Sequence, residues 1–96
     1  MKEKTKALAL STGDNVATAL VPLEADATVA VDMGRGVEKV KLLSPIPLGH
    51  KFALRDLEEG QSVIKYGESI GTATAPIRKG AYVHVHNVRG GKRRGG

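Results

Sequence analysis

Residues 53–83 read ALRDLEEGQSVIKYGESIGTATAPIRKGAYV. Inside this stretch Ala53, Leu57, Gly60 and Val63 return twenty residues later as Ala73, Ile77, Gly80 and Val83. A weaker copy stands upstream, where Ala19-Leu20, Leu23 and Val29 match Ala53-Leu54, Leu57 and Val63 at an offset of thirty-four. Each copy has an alanine, a short gap, a leucine or isoleucine, a tight turn, and a valine that opens a strand. The larger aliphatic residue suits a plug beside the turn. Glycine lets two of the copies take a positive φ at the corner. The units are too short and irregular for a solenoid, and suit a compact fold of similar folded-over hairpins.

The same punctuation continues outward. Gly34, Gly36, Pro45, Pro47, Gly49, Gly60, Gly67, Gly71, Pro76 and Gly80 cut the chain into short pieces rich in β-branched residues. Strands are expected over 16–21, 28–31, 38–43, 62–66, 69–74 and 82–88, which makes an all-β domain. Ala53 to Glu59 reads as helical by propensity, but Gly49 and Gly60 bound it, so a single short or 3₁₀ turn is expected there. Residues 1–13 form an N-terminal lead-in with a possible edge strand over Lys6 to Leu10. Residues 14–88 form the domain. Residues 89–96 form a flexible, basic, glycine-rich tail.

Ninety-six residues argue for one domain with a modest core. Only Phe52, Tyr66 and Tyr82 are aromatic, so aliphatic side chains must fill it. The absence of cysteine excludes a disulfide framework, a zinc–thiolate site and a cysteine nucleophile. It fits a reducing, cytoplasmic setting, and no apolar run is long enough for a membrane span or a signal-peptide core. The net charge of +5 is local: Arg89, Lys92, Arg93 and Arg94 carry four of the positive charges, and the rest of the chain is nearly balanced. Bulk charge therefore gives little support for nucleic-acid binding. No phosphate-binding P-loop, dinucleotide fingerprint or serine-nucleophile elbow is present.

Three segments taken together carry a family resemblance. They are Ile46-Pro47-Leu48-Gly49-His50-Lys51-Phe52-Ala53-Leu54-Arg55-Asp56, then Val63-Ile64-Lys65-Tyr66-Gly67-Glu68-Ser69-Ile70-Gly71, then Ile77-Arg78-Lys79-Gly80-Ala81-Tyr82-Val83-His84-Val85-His86-Asn87. In this order they resemble the SAF domain of the altronate and galactarate dehydratase family, over roughly residues 14–88. The small subunit of sulfolactate sulfo-lyase is similar. The resemblance implies a SAF-type β-clip fold. It also implies a hydro-lyase acting on a sugar acid or related hydroxy acid, a much larger catalytic subunit or domain as partner, and a divalent metal, iron or manganese, in the complete enzyme. This chain alone is expected to be inactive. A non-catalytic binding or assembly module, like the antifreeze-like domain attached to sialic acid synthases, is the alternative. One departure is the stretch Leu23 to Thr28, LEADAT, which lacks the glycine often found at that turn.

The candidate site residues follow. In a regular strand 82–88, Val83 and Val85 would face the core, and His84 and His86 would share the other face about 7 Å apart. Such a pair can ligate a metal or bind a carboxylate, and an exposed polar edge is the plainer reading. Asn87 would follow as a turn or orienting residue and is a candidate for binding. His50 and Lys51, after the stiffening Pro45 and Pro47, offer a pH-tunable group beside a fixed cation. That suits acid–base work or an anion site, against a surface loop whose histidine caps a carbonyl. Lys65 and Glu68 flank a hairpin turn and are candidates for contact with substrate or partner. Tyr66 is either a binding residue or a lid on the core, the second reading being favoured. The basic arginine–glycine ending is a weak RNA-like feature without aromatic stacking platforms. Uncovered sheet edges leave a homodimer open.

Overall fold

The structure is a computed structural model that describes residues 4–90. Nine strands and no helix are found among the described residues. They are β1 (Ala7–Leu8), β2 (Val16–Ala19), β3 (Thr28–Asp32), β4 (Val37–Lys41), β5 (Lys51–Ala53), β6 (Ser62–Lys65), β7 (Glu68–Ala73), β8 (Tyr82–Val83) and β9 (Val88–Gly90). One sheet runs β4-β3-β1-β2-β5-β8 and the other β6-β7-β9. All neighbours are antiparallel except β1 and β3. This is the expected all-β, SAF-type class.

The repeat becomes physical in two reciprocal bridges. Leu23 and Ile46 exchange both backbone hydrogen bonds at 2.9 Å, and Leu57 and Ile77 do so at 2.7 and 2.8 Å. All four side chains are buried. Four residues before each plug lies a buried Ala19, Leu42, Ala53 or Ala73, and six after it a buried Val29, Phe52, Val63 or Val83. Three residues after each plug the backbone takes positive φ, at Asp26, Gly49, Gly60 and Gly80. The copy centred on Ile46 carries Leu42 and Phe52 where the others carry alanine and valine. The unit is thus used four times, and Asp26 holds φ 69° where the glycine is missing.

The plugs belong to two cores. Leu23 and Ile46 pack with Ala7, Ala9, Ala17, Val31, Val40, Leu42, Phe52 and Leu54. Leu57 and Ile77 pack with Val16, Ala53, Val63, Ala73 and Val83. Alternation along β2 and β5 sends Ala17 and Phe52 to the first core and Val16 and Ala53 to the second. These middle strands are therefore covered on both faces, and each fully buried large side chain contributes about 1.5–3 kcal/mol.

Polar residues tie the second sheet to the first. A bulge interrupts β6 between Val63 and Ile64. Asn15 fills the gap: its Oδ1 accepts from Ile64 N at 2.7 Å and its Nδ2 donates to Ser62 O at 2.9 Å. The buried Asp14 carboxylate accepts from Tyr66 N and Gly67 N, each at 2.9 Å, and so caps the β6–β7 turn. Hydrogen bonds to a charged acceptor contribute about 1.5–3 kcal/mol.

Several expectations change. Ala53 to Glu59 is not a helical turn, because Ala53 pairs with Val16 and Leu57 bridges to Ile77. The Lys6–Leu10 strand is not at an edge: β1 lies between β3 and β2. Arg89 and Gly90 belong to β9 rather than to a tail, and residues 91–96 lie outside the described residues. The strand expected over 82–88 stops at Val83, and a turn follows over 84–87. Val85 therefore does not face the core and is 81 % exposed.

Gly80 separates backbone freedom from close approach. It has φ 89°, and a Cβ there would collide with the Lys41 carbonyl oxygen. Gly49 has φ 83° and open space around it. In urea unfolding, Gly49→Ala is expected to lose about 1–2 kcal/mol from backbone strain alone. Gly80→Ala should lose clearly more, about 3 kcal/mol or above. Equal losses would show that the approach to Lys41 contributes nothing.

Candidate functional site

The start of β5 and the end of β8 gather three histidines and a tyrosine. His50 enters β5 with its backbone held at both ends, since its N–H donates to Pro47 O at 3.0 Å and its carbonyl accepts from Ala19 N at 2.8 Å. Phe52 pairs with Tyr82, which brings the tyrosine beside this entry. Tyr82 Oη lies 2.6 Å from His50 Nδ1. The His84 ring is 4.8 Å from the His50 ring and 5.5 Å from the Tyr82 ring, while the His86 ring is 5.5 Å from Tyr82. Four rings thus form one cluster.

The turn carrying two of them is closed by Asn87. His84 N donates to Asn87 Oδ1 at 3.0 Å, and Asn87 Nδ2 donates to Tyr82 O at 2.9 Å. Asparagine readily closes turns by such side-chain-to-backbone bonds. The common strand face of His84 and His86 does not exist; both imidazoles instead reach Tyr82.

Lys51 lies on the other side of β5. It pairs with Val83 and lines a cleft of about 200 Å³ with Ile70, Val83, His84, Val85 and Val88. Burial of its ammonium group, with the nearby Lys65 charge adding to the effect, holds its pKa below the ordinary 10.5. His50 and Lys51 are therefore adjacent in sequence but serve different faces of the strand. His84 links them, because it touches the His50 ring and lines the Lys51 cleft. A second, wider cleft of about 520 Å³ is lined by Leu43, Pro45, Pro76, Arg78, Tyr82, His86 and Asn87 among others.

The β6–β7 hairpin supplies the remaining candidates. Lys65 and Glu68 pair across its turn, and Tyr66 and Gly67 both have positive φ. That suits a two-residue hairpin whose twist matches its strands. Lys65 Nζ stands 5.0 Å from the Tyr66 ring centre. Tyr66 is 44 % exposed, so it is not a lid on the core. Of this hairpin, Lys65 is electrostatically joined to the Lys51 cleft.

A divalent cation fits this donor set poorly. His84 and His86 lie on a turn, and no group of three or more His, Cys, Asp or Glu side chains suited to a metal is found among the described residues. Metal-selective sites ordinarily need more converging ligands than two imidazoles. Sequence reasoning did not single out Tyr82, Asp14 or Asn15. For Tyr82 a signal existed, because it stands two residues before His84 in an alternating segment. For Asp14 and Asn15 there was none, since their partners lie about fifty residues away.

Unfolded Lys51 titrates near 10.5 and the folded residue lower, so between these values the unfolded chain binds more protons and stability rises with pH. Below the folded value the full penalty persists. Lys51→Met is expected to raise stability at neutral pH and to flatten the rise toward about pH 10 in urea titrations. An unchanged rise would place its origin elsewhere.

Comparison with known proteins agrees with this architecture. The family profile of the altronate/galactarate dehydratase SAF domain matches residues 5–91. The chain is 47 % identical over 76 residues to altronate dehydratase of Escherichia coli (strain K12), covering 79 % of this chain and 14 % of that protein. It is 40 % identical over 82 residues to (2R)-sulfolactate sulfo-lyase subunit alpha of Chromohalobacter salexigens, covering 69 % of this chain and 87 % of that subunit. Galactarate dehydratase (L-threo-forming) of Escherichia coli (strain K12) matches at 41 % over 44 residues, 46 % of this chain and 8 % of that enzyme. The chain thus corresponds to a small part of the dehydratases and to most of a lyase subunit. No helix among the described residues is long and apolar enough to cross a membrane. With a profile spanning nearly its whole length and the corresponding all-β architecture, the chain belongs to the altronate/galactarate dehydratase SAF domain family.

Proposed function

We propose that this chain is the small SAF subunit or domain of a cytoplasmic carbon–oxygen lyase acting on a hydroxy acid, and that it completes an active site built mainly by a larger catalytic partner. The observation that carries this reading is the gathering of His50, Tyr82, His84 and His86 beside the cleft of Lys51. The relatives named as dehydratases support the reaction class, and the one named as subunit alpha of a sulfo-lyase supports the role of a small subunit.

Dehydration removes the proton α to a carboxylate and expels the β-hydroxyl as water. Negative charge grows on the carboxylate as the proton leaves, and nearby cations or N–H donors stabilise it. In this proposal Lys51, with Lys65 behind it, supplies positive charge. His50 and His84 supply imidazole groups for a substrate oxygen or for the departing hydroxyl. Glu68 and Tyr66 on the β6–β7 hairpin and Asn87 and His86 in the wider cleft are proposed as binding or supporting residues, and no step is routed through them. The ligands of the expected iron or manganese are assigned to the partner. Substrate choice among hydroxy acids is assigned to the partner as well.

The test mixes the chain with its large catalytic subunit and follows turnover and assembly. The double variant His84→Ala/His86→Ala is expected to assemble normally and to lose about 10²-fold in kcat/KM. Full turnover in an intact assembly would leave the chain as a non-catalytic cap or assembly module.

A further inference from the structure

We propose that Tyr82 is a positioning residue that holds neutral His50 with its proton on Nε2, so that His50 meets its ligand as a hydrogen-bond donor. This assignment rests on the proposed role of the ring cluster in a lyase site. The geometry behind it is independent of that role.

A neutral imidazole has one donor and one acceptor nitrogen, and the partner of one decides the state of the other. His50 Nδ1 and Tyr82 Oη are 2.6 Å apart, the separation of a short hydrogen bond. Either group could provide the proton, but the two arrangements differ. If the phenol donates, its one proton is used and Nδ1 acts as the acceptor. If Nδ1–H donates, the 2.6 Å separation is shorter than the roughly 2.7–3.2 Å usual for an N–H···O bond, whereas O–H donors ordinarily span roughly 2.5–3.0 Å. The short separation therefore selects the first arrangement. It puts the imidazole proton on Nε2, across the ring from Tyr82.

Neither partner is free to turn away. Tyr82 is half-buried against the first core and pairs with Phe52, and its carbonyl accepts from Asn87 Nδ2. Its ring is bounded by His84 at 5.5 Å and 13° and by His86 at 5.5 Å and 33°. The backbone of His50 is held by Pro47 and Ala19. The hydroxyl therefore stands where the imidazole must meet it. A donating Nε2–H suits a carboxylate oxygen or the hydroxyl that leaves. It does not suit abstraction of the α-proton, which falls to another group. No proton changes hands in this assignment.

Two measurements test it. The first uses the chain by itself, uniformly ¹⁵N-labelled, at mildly alkaline pH, with long-range ¹⁵N–¹H correlation of the imidazoles. The expected result is a His50 ring with bare Nδ1 and protonated Nε2. In Tyr82→Phe, which keeps the aromatic ring, the His50 nitrogen shifts should move toward a tautomer mixture while the backbone amide spectrum stays native. A protonated Nδ1 in the wild type, or His50 shifts unaffected by Tyr82→Phe, would overturn the assignment.

The second measurement uses the assembled lyase. Glutamine can place an amide N–H near the former Nε2, whereas asparagine is too short. His50→Gln is expected to retain most turnover and His50→Asn to lose about 10²-fold. Tyr82→Phe should lose about 10-fold in the wild type but little more once His50→Gln is present. Equal losses in the two His50 variants would overturn the donor role. Full activity in both would overturn the lyase-site reading itself, while the tautomer measurement would stand on its own.

Discussion

The fold depends on one repeated constraint: a tight corner in which a buried aliphatic side chain also exchanges two backbone hydrogen bonds with its counterpart. Leu23 does this with Ile46, and Leu57 with Ile77. A chain of 96 residues with three aromatic residues cannot rely on large side chains to exclude water. It uses many short strands instead, and each corner must hide its polar backbone while turning sharply. The reciprocal bridge satisfies the backbone, the plug fills the space beneath it, and positive φ at the third following residue completes the turn.

Four such corners arranged in two pairs produce two cores with strands shared between them. Because β2 and β5 face one core with alternate residues and the other core with the rest, their positions are determined from both sides. Asn15 and Asp14 extend this control to the second sheet by substituting for strand partners at a bulge and a turn. The candidate site sits where β5 begins and β8 ends. Side chains there are carried by strongly constrained backbone, although the turn over 84–87 is itself outside any strand. Asn87 recovers rigidity by bonding that turn to Tyr82 and His84.

The chemistry divides across β5. One side holds the ring cluster, in which orientation is controlled by a hydrogen bond and by aromatic contacts. The other holds a lysine in a mainly apolar cleft, with a second lysine near enough to oppose its charge. Both depend on neighbours more than on the identity of the residue itself. In the proposed reading a chain of this size, with few acidic groups at the site, completes a larger site rather than performing a whole elimination. That is consistent with its correspondence to 14 % of one dehydratase and 87 % of a lyase subunit.

Taken alone, the sequence determined the all-β class, most strand positions, the hairpin at Tyr66-Gly67 and three of the four corners. These features are local, written in alternation, β-branching and turn residues that act within a few positions. The copy centred on Ile46 escaped notice because Leu42 and Phe52 preserve burial rather than identity. The stretch from Ala53 to Glu59 misled because its helix propensity is local, whereas Val16 and Ile77, which hold it extended, are distant in sequence. Only the tertiary structure decided that His84 and His86 lie on an asparagine-closed turn, that His50 and Lys51 serve opposite faces, and that Tyr82 stands between the imidazoles. Those outcomes follow from pairing between β5 and β8, some thirty residues apart, and no pattern within either segment encodes the contact by itself.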